Sequence, residues 1–358
     1  MKFLAIEHSF PTRVVTNEEV QARVREASAP HLSTSELATV ESLVEACFAS
    51  SGTTVRRHRA PGETPSGLAV DAGRRALASA GLDPLDVDLL LYAGIGRGVI
   101  EPASATTFQD LLGLRRASAF DVLEACASWV RALQVADAFL RTGRYRTIMI
   151  VNAEFGAADV YRYELRSLAE FAHWHPTVTL GEAATATIVT AQPPGEEDDG
   201  FDADFRTHGE ARDLCFVPLP GFDAYFAKKP AAAGEPRPLQ FVSFGLSLME
   251  FGTRKLIEHY REEPRFEEFK ADLVFGHSAS DGASRHVVTE CGIDAAKYRF
   301  HHARHANTVA AAVPVSMSEA LRDGELAEGD RVLLLVASAG ITTALASFVF
   351  HGPRRDAA

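Results

Sequence analysis

Four cysteines among 358 residues, none in a C-x-x-C pair, are too few and too scattered for a disulfide framework or a zinc ribbon. Basic charge is in deficit, with 36 Lys and Arg against 48 Asp and Glu. The resulting net charge of −12 argues against a nucleic-acid binder and against a general attraction to anionic membranes. No apolar run approaches the roughly 20 residues that cross a bilayer. The apolar start, Phe3-Leu4-Ala5-Ile6 after Lys2, is too short for the core of a signal peptide. His301, His302 and His305 cluster without cysteine or carboxylate neighbours in sequence, so no metal is expected there. With 46% apolar and 23% charged residues, the composition is that of an ordinary globular protein. The expectation is a soluble, cytoplasmic chain of one large domain or two fused halves.

Secondary-structure signals alternate along the chain. Residues 3–7 read as a strand, and Asn17 reads as the cap of a helix EEVQARVRE. Ser33 to Phe48, Ser66 to Ala80 and Ser104 to Leu112 carry helical patterns, the second closed by Gly81. Asp88-Leu-Leu-Leu-Tyr-Ala-Gly94 is a continuous apolar run, the mark of a strand buried on both faces. Gly94-Ile95-Gly96-Arg97-Gly98 has the glycine spacing of a phosphate loop, but Pro102 intervenes before any helix and no P-loop lysine follows. The segment 155–178 holds Phe155, Tyr161, Tyr163, Phe171 and Trp174, read first as surface packing, with a pocket wall or a subunit interface as alternatives. His173 and His175 read as loop residues. Residues 191–239, with PPGEEDDG and KKPAAAGEPRP, form the loosest stretch.

The second half repeats the first. Asp272-Leu-Val-Phe-Gly-His-Ser278 matches the Asp88 run 184 positions later, and Arg331-Val-Leu-Leu-Leu-Val-Ala-Ser338 matches Arg146-Thr-Ile-Met-Ile-Val-Asn-Ala153 at an interval of 185. Such a repeat implies a duplicated α/β unit with parallel strands joined by crossover helices. Within the first unit, Asp121-Val-Leu-Glu-Ala-Cys126 enters a helical pattern without a breaker. A cysteine at a strand-to-helix junction is placed for thiolate stabilisation by first-turn amides and the helix dipole. A small buried hydrophobe is the plain alternative. The repeat interval carries Cys126 to position 310, close to Asn307, so two such junctions would meet in one cleft.

Taken in order, these segments resemble the ketoacyl-ACP synthase III family, decarboxylating condensing enzymes of the thiolase fold. Pro11-Thr12-Arg13-Val14-Val15-Thr16-Asn17 is similar to the family's opening P-x-R-V-V-T-N, and Asp121–Cys126 to its nucleophile segment. Leu180-Gly181-Glu182-Ala183-Ala184 is similar to G-D-G-A. His277 stands where the family has the His of H-Q-A-N, Asn307 where it has the Asn of G-N-T-S, and Gly324 to Asp330 leads into the last strand in the family's manner. The resemblance implies an α/β thiolase fold, with duplicated βαβαβαββ halves in a five-layered α-β-α-β-α arrangement. The divisions expected are 1–190 for the N-terminal half with Cys126, 191–239 for a linker, and 240–358 for the C-terminal half with His277 and Asn307.

The resemblance also implies roles. Cys126 would take the acyl group from a thioester, with the Cys126 and Ala339 amides binding the oxyanion. A malonyl-type donor would then lose carbon dioxide, His277 and Asn307 donating to the enolate, and a 3-oxoacyl thioester would form. No cofactor is implied; the partners are acyl-CoA, an acyl carrier protein, or both, and a second copy of the chain. The homodimer expectation draws on the strand Arg146–Ala153, placed near a sheet edge, and on the aromatic segment after it. Cys47, Cys215 and Cys291 read as structural. Without the resemblance, His277 reads as a core histidine and Asn307 as a helix cap.

Some residues depart from the family pattern. Ser128-Trp129 replaces Gly-Phe, which would crowd the helix start and reshape the acyl pocket. Ser278-Ala279-Ser280 replaces Q-A-N, and Ser338-Ala339-Gly340-Ile341-Thr342-Thr343-Ala344 replaces G-G-G-x-T-W-G. Ala46 and Ser50 stand in place of the Trp and Arg associated with coenzyme A. These departures suggest secondary, polyketide-type metabolism. They leave open an acyltransferase that passes the group from Cys126 to a hydroxyl, amine or thiol. A non-catalytic partner subunit is disfavoured while Cys126, His277 and Asn307 are all present.

Overall fold

The computed structural model describes residues 1–154, 156, 160–192, 200–221 and 237–353. Phe155 and most of PPGEEDDG and KKPAAAGEPRP lie outside the described residues.

The strands are β1 (Lys2–Ser9), β2 (Arg13–Thr16), β3 (Val55–His58), β4 (Leu89–Ala93), β5 (Ser118–Val122), β6 (Thr147–Glu154) and β7 (Ala183–Thr190) in the first part of the chain. They continue as β8 (Asp202–Thr207), β9 (Cys215–Phe216), β10 (Val242–Ser243), β11 (Leu273–Gly276), β12 (Arg331–Ser338) and β13 (Thr342–Val349). The longer helices are α1 (Asn17–Ser28), α2 (Thr34–Ser51), α3 (Pro65–Ala80), α4 (Ser104–Leu111), α5 (Ser128–Arg141), α6 (Gly245–Glu262), α7 (Asp281–Glu290) and α8 (Ala312–Asp323).

Of the two large sheets, one runs β1-β7-β6-β4-β5 and the other β8-β13-β12-β11, while β2 pairs with β3 and β9 with β10; a parallel bridge between Val274 and Tyr298 extends the second large sheet. The order is the same in both, and so is the sense of pairing: β4 and β6 are parallel, as are β11 and β12, while β7 and β13 run antiparallel to their neighbours. The duplication seen in the two apolar runs is thus a duplication of sheets. Residues 202–207, inside the stretch read as a linker, are a strand of the second sheet. The short alternation there (Asp202-Ala-Asp-Phe-Arg-Thr207) is polar enough to hide a strand that lies at a sheet edge.

Five layers follow from what each face must cover. Every residue of β4 is buried, as a strand with helices on both faces requires. On the outer side, α3 and α4 pack against the first sheet through Ala72, Leu77 and Phe108. On the other outer side, α6 and α7 pack against the second sheet through Leu256, Ile257 and Val287. Between the sheets, α5 and α8 share one core that takes Trp129 and Leu133 from the first helix and Val313 and Met317 from the second. This is the α-β-α-β-α arrangement of the thiolase fold.

Three expectations need correction. The strand at 146–153, expected near an edge, is β6, the middle strand of its sheet; its uniform burial was the signal of that position. The cap of α1 is Thr16, whose hydroxyl accepts from the Glu19 amide, while Asn17 donates instead to the Thr53 carbonyl at 2.8 Å. Trp129 does not reshape a pocket: it is fully buried in the central layer, its indole N–H donating to Thr187 Oγ1 at 3.1 Å.

Trp129→Ala therefore removes a central-layer side chain and leaves the Thr187 hydroxyl without its donor. Urea unfolding should show a loss of about 3–5 kcal/mol, the range for a large aromatic truncated in a core. A loss under about 1 kcal/mol would mean that the layer closes over the gap.

Candidate active site

Cys126 sits in a tight turn, Ala125–Ala127, between β5 and α5. Ala125, just before it, has φ 46, a left-handed conformation that a residue with a Cβ adopts only when its surroundings enforce it. The enforcing contacts come from both halves of the chain. Ser128 Oγ accepts from the Glu124 amide at 2.8 Å and donates to the Ala125 carbonyl at 2.7 Å. Arg131 grips the Glu124 carboxylate with two nitrogens, at 2.6 and 3.0 Å, and stacks over Phe205 of the second sheet, 3.5 Å from the ring centre. Ser338, at the end of β12, donates to the Glu124 carbonyl at 2.9 Å. The serine in place of the family's glycine is thus a fastener of the turn.

The second half of the chain brings the other residues. His277 follows β11, and its amide continues the ladder to the Leu335 carbonyl at 3.1 Å. The Val309 carbonyl lies beside its ring. Asn307 is held by its backbone, which donates to Thr179 and accepts from Gly181, both at 2.9 Å. Gly181 is required there, because a Cβ would stand 2.3 Å from the His305 carbonyl. Asn307 Oδ1 accepts from the Val309 amide at 2.9 Å, and its NH2, a donor group, has no hydrogen-bond partner among the described residues. Ala306 and Val309, on either side, have φ 58 and 54. Backbone strain therefore flanks Asn307 as it precedes Cys126, the clustering expected of a functional site.

Cys126, His277, Asn307 and Ala339 all line one cavity of about 220 Å³ with mainly apolar walls. The amides of Ala339 and of Cys126 itself point at the Cys126 sulfur. Burial nevertheless pushes the Cys126 thiol well above its ordinary range. The expectation of a thiolate held by first-turn amides is thereby corrected: the turn precedes α5 and lies in an apolar cavity, so desolvation outweighs the amides. Burial likewise pushes His277 down to about 4, so the resting pair is a thiol and a neutral imidazole.

Several residues were not anticipated. Glu154 ends β6, fully buried, and accepts from the Ile95 and Gly96 amides at 3.1 and 3.2 Å, with the Ala310 amide also facing it. Its carboxylate occupies the glycine loop that resembled a phosphate cradle; a Cβ on Gly94 would lie 2.4 Å from it. Glu154 thereby ties together the loop bearing Ile95, which lines the cavity, and the turn after Asn307. An acid closing the apolar run Thr147–Glu154 was the available signal. Tyr161 and His175 form cavity wall, so part of the aromatic segment is a pocket wall, while Trp174 is core against α1 and α2. Cys47 and Cys215 also reach the cavity, whereas Cys291 is buried in the outer layer.

The histidine cluster has other work. His302 bridges Thr53 Oγ1 at 2.7 Å and the Ser278 carbonyl at 2.9 Å, steadying the segment after His277. His305 meets Glu319 at 2.9 Å. Ser280, in place of the family's Asn, caps α7.

The family profile described as 3-oxoacyl-[acyl-carrier-protein (ACP)] synthase III matches residues 120–209, and its C-terminal counterpart matches 264–350. The chain is 32% identical over 299 residues to the beta-ketoacyl-[acyl-carrier-protein] synthase III of Rhodospirillum rubrum, covering 81% of this chain and 86% of that one. It is 29% identical over 350 residues to the enzyme of that name from Roseiflexus castenholzii, covering 94% of each. Among solved structures, the 3-oxoacyl-[acyl-carrier-protein] synthase III of Aquifex aeolicus superposes with a TM-score of 0.78 at 22% identity, over 98% of this chain and 99% of that one. OleA of Xanthomonas campestris, with bound lauric acid and lauroyl-CoA, gives 0.78 at 20% identity over 98% of each. These structural likenesses are likenesses of fold.

Glu154 offers a test of the geometry that is independent of activity. Burial raises its carboxyl to about 7, above the value near 4 of an unfolded chain. The folded state therefore holds a proton that the unfolded state has lost, and stability falls as pH rises between these values. Glu154→Gln abolishes that titration. Its stability relative to the unsubstituted protein should rise between pH 5 and pH 8, by up to about 3 kcal/mol. Parallel stability curves for the two proteins would show that Glu154 is not buried as described.

Proposed function

Because the chain belongs to the 3-oxoacyl-[acyl-carrier-protein] synthase III family, and so to its condensing enzymes, we propose that it makes 3-oxoacyl thioesters through an acyl-Cys126 intermediate. The observation that carries this reading is the convergence of Cys126, His277, Asn307 and the Ala339 amide on one apolar cavity.

In the first step the Cys126 thiol passes its proton to the neutral His277, and the sulfur attacks the thioester carbonyl. The oxyanion lies against the Cys126 and Ala339 amides. Collapse expels the carrier as a thiolate, which takes its proton from water. His277, now an imidazolium, is held by the carboxylate of the entering malonyl-type donor. That carboxylate leaves as carbon dioxide, and its electron pair forms an enolate whose oxygen accepts from His277 and from the Asn307 NH2. The enolate carbon attacks the acyl carbonyl, the Cys126 sulfur departs, and His277 returns the proton to it. The carriers would be coenzyme A or an acyl carrier protein. The serines at 280 and 338, the first capping α7 and the second holding the Glu124 carbonyl, rebuild supports of the site and suit a role in secondary, polyketide-type metabolism.

A homodimer is part of this reading. With β6 central, the support shifts to β5, which among the described residues pairs on one side only. Near it Leu123, Val99 and Ile100 are 51%, 49% and 68% exposed, an edge and an apolar surface that a second copy would cover. Light scattering should give twice the chain mass, and a fully active monomer at low concentration would end the dimer reading.

The chemistry is tested on Asn307→Asp, which keeps the shape and sets an anion where the enolate forms. Carbon dioxide release from malonyl-CoA should fall on the order of a hundredfold to a thousandfold, the loss typical of one such donor. Acyl loading of Cys126, followed by intact mass, should persist, and Cys126→Ala should abolish it. If neither protein releases carbon dioxide while an alcohol or amine is acylated by both, the enzyme transfers acyl groups to a heteroatom instead.

A further inference from the structure

The cavity does not end at Cys126. From Ala339, beside the sulfur, its floor continues along β12 through Ala337 to Leu335, alternate residues on one face of the strand. Four residues at about 3.3 Å each give this arm a reach of about 13 Å. Its roof is made by Met249, Gly252 and Leu256 of α6 and by Ala283 and Val287 of α7, which recur at the spacing of one helix face. Tyr298 closes the far end, with the Ser284 hydroxyl beside its own. Leu256, Val287, Tyr298 and Leu335 are members of the outer-layer core, so the cavity enters that layer of the fold.

Gly252 is the residue that leaves this space. Glycine weakens a helix interior, so its presence there needs a reason. In α3, on the other outer layer, Gly73 has one: a Cβ would press on Leu112 at 2.8 Å. Gly252 has no such neighbour, since an added Cβ would meet only Ala337 Cβ at 3.6 Å, an ordinary contact, and its φ is not left-handed. Neither backbone nor packing demands glycine. What its absent side chain provides is the opening between α6 and β12.

We propose that this arm receives the alkyl chain of a medium-chain acyl group whose carbonyl is held at Cys126, with Gly252 setting the chain length. The inference rests on the acyl-enzyme reading above. The walls named carry no charged side chain, which suits an unsubstituted alkyl chain and excludes one ending in a carboxylate.

The test uses the full chain with acetyl-CoA and decanoyl-CoA, reading the adduct on Cys126 by intact mass and peptide mapping. Gly252→Leu should cut decanoyl loading on the order of a hundredfold relative to acetyl loading, in line with pocket-based discrimination between chains. Gly252→Ala, which a helix favours, should give a smaller loss in the same direction, and retained acetyl loading shows in each case that the protein is folded. A decanoyl-to-acetyl ratio unchanged in both variants overturns the arm while leaving the acyl-enzyme intact. No adduct on Cys126 in the unsubstituted protein with either thioester overturns the acyl-enzyme reading, and the arm with it.

Discussion

The structure depends on one constraint: two sheets share a single layer of helices. Each sheet has an apolar inner face, and neither can be covered from solvent. The layer between them must therefore be buried nearly all round, and α8 is: residues 312–320 are all buried, the polar Ser316, Ser318 and Glu319 included. Helix α5 answers it with Trp129, Val130 and Leu133. Because each helix follows the same strand position in its own sheet, burying both between the sheets brings their starts together. The cleft holding Cys126 and Asn307 is a consequence of how the core is closed, and its geometry is as rigid as that core.

Rigidity of that kind is what allows strained backbone to persist. Ala125, Ala306 and Val309 sit at positive φ, at a cost of order 1–3 kcal/mol each, and each lies within two residues of Cys126 or Asn307. The clamps on the two sides differ in chemistry. At Cys126 they are a charged pair and hydroxyls, Arg131 with Glu124 and the serines at 128 and 338. At Asn307 they are main-chain bonds to Thr179 and Gly181. Glu154 joins the two sides, because its acceptors hold the Ile95 loop and the turn at Ala310 together.

Sheets, helices and the duplication were legible because buried strands such as Leu89–Ala93 announce themselves as unbroken apolar runs. The strand β8 was not, since an edge strand with one face to solvent reads as polar loop. Cys126, His277 and Asn307 were legible through the family's motifs, while their supports were not. Glu124, Ser128 and Ser338 are ordinary surface residue types, and their meeting is a long-range fact, Ser338 and Glu124 being 214 positions apart. The charge state of Cys126 was misread because a strand-to-helix junction gives a helix dipole its direction but says nothing about the depth of burial. Depth is decided by Tyr161, Phe241, Leu180 and Val309 around the sulfur, residues from four separate segments.

That depth has a chemical consequence. A thiolate and an imidazolium resting in an apolar cavity would carry the desolvation of both charges, whereas a thiol and a neutral imidazole carry none. The neutral pair can stay dry and wait. In the proposed reaction charge would appear only when a thioester carbonyl is in place to accept it, and would then fall on amides that are already oriented, in a medium where such donors act strongly. In that reaction the same exclusion of water would protect the acyl-enzyme, since a thioester hydrolyses when water reaches it. The apolar wall that raises the Cys126 thiol would thus, in the proposed reaction, also keep its acyl group for the carbon nucleophile.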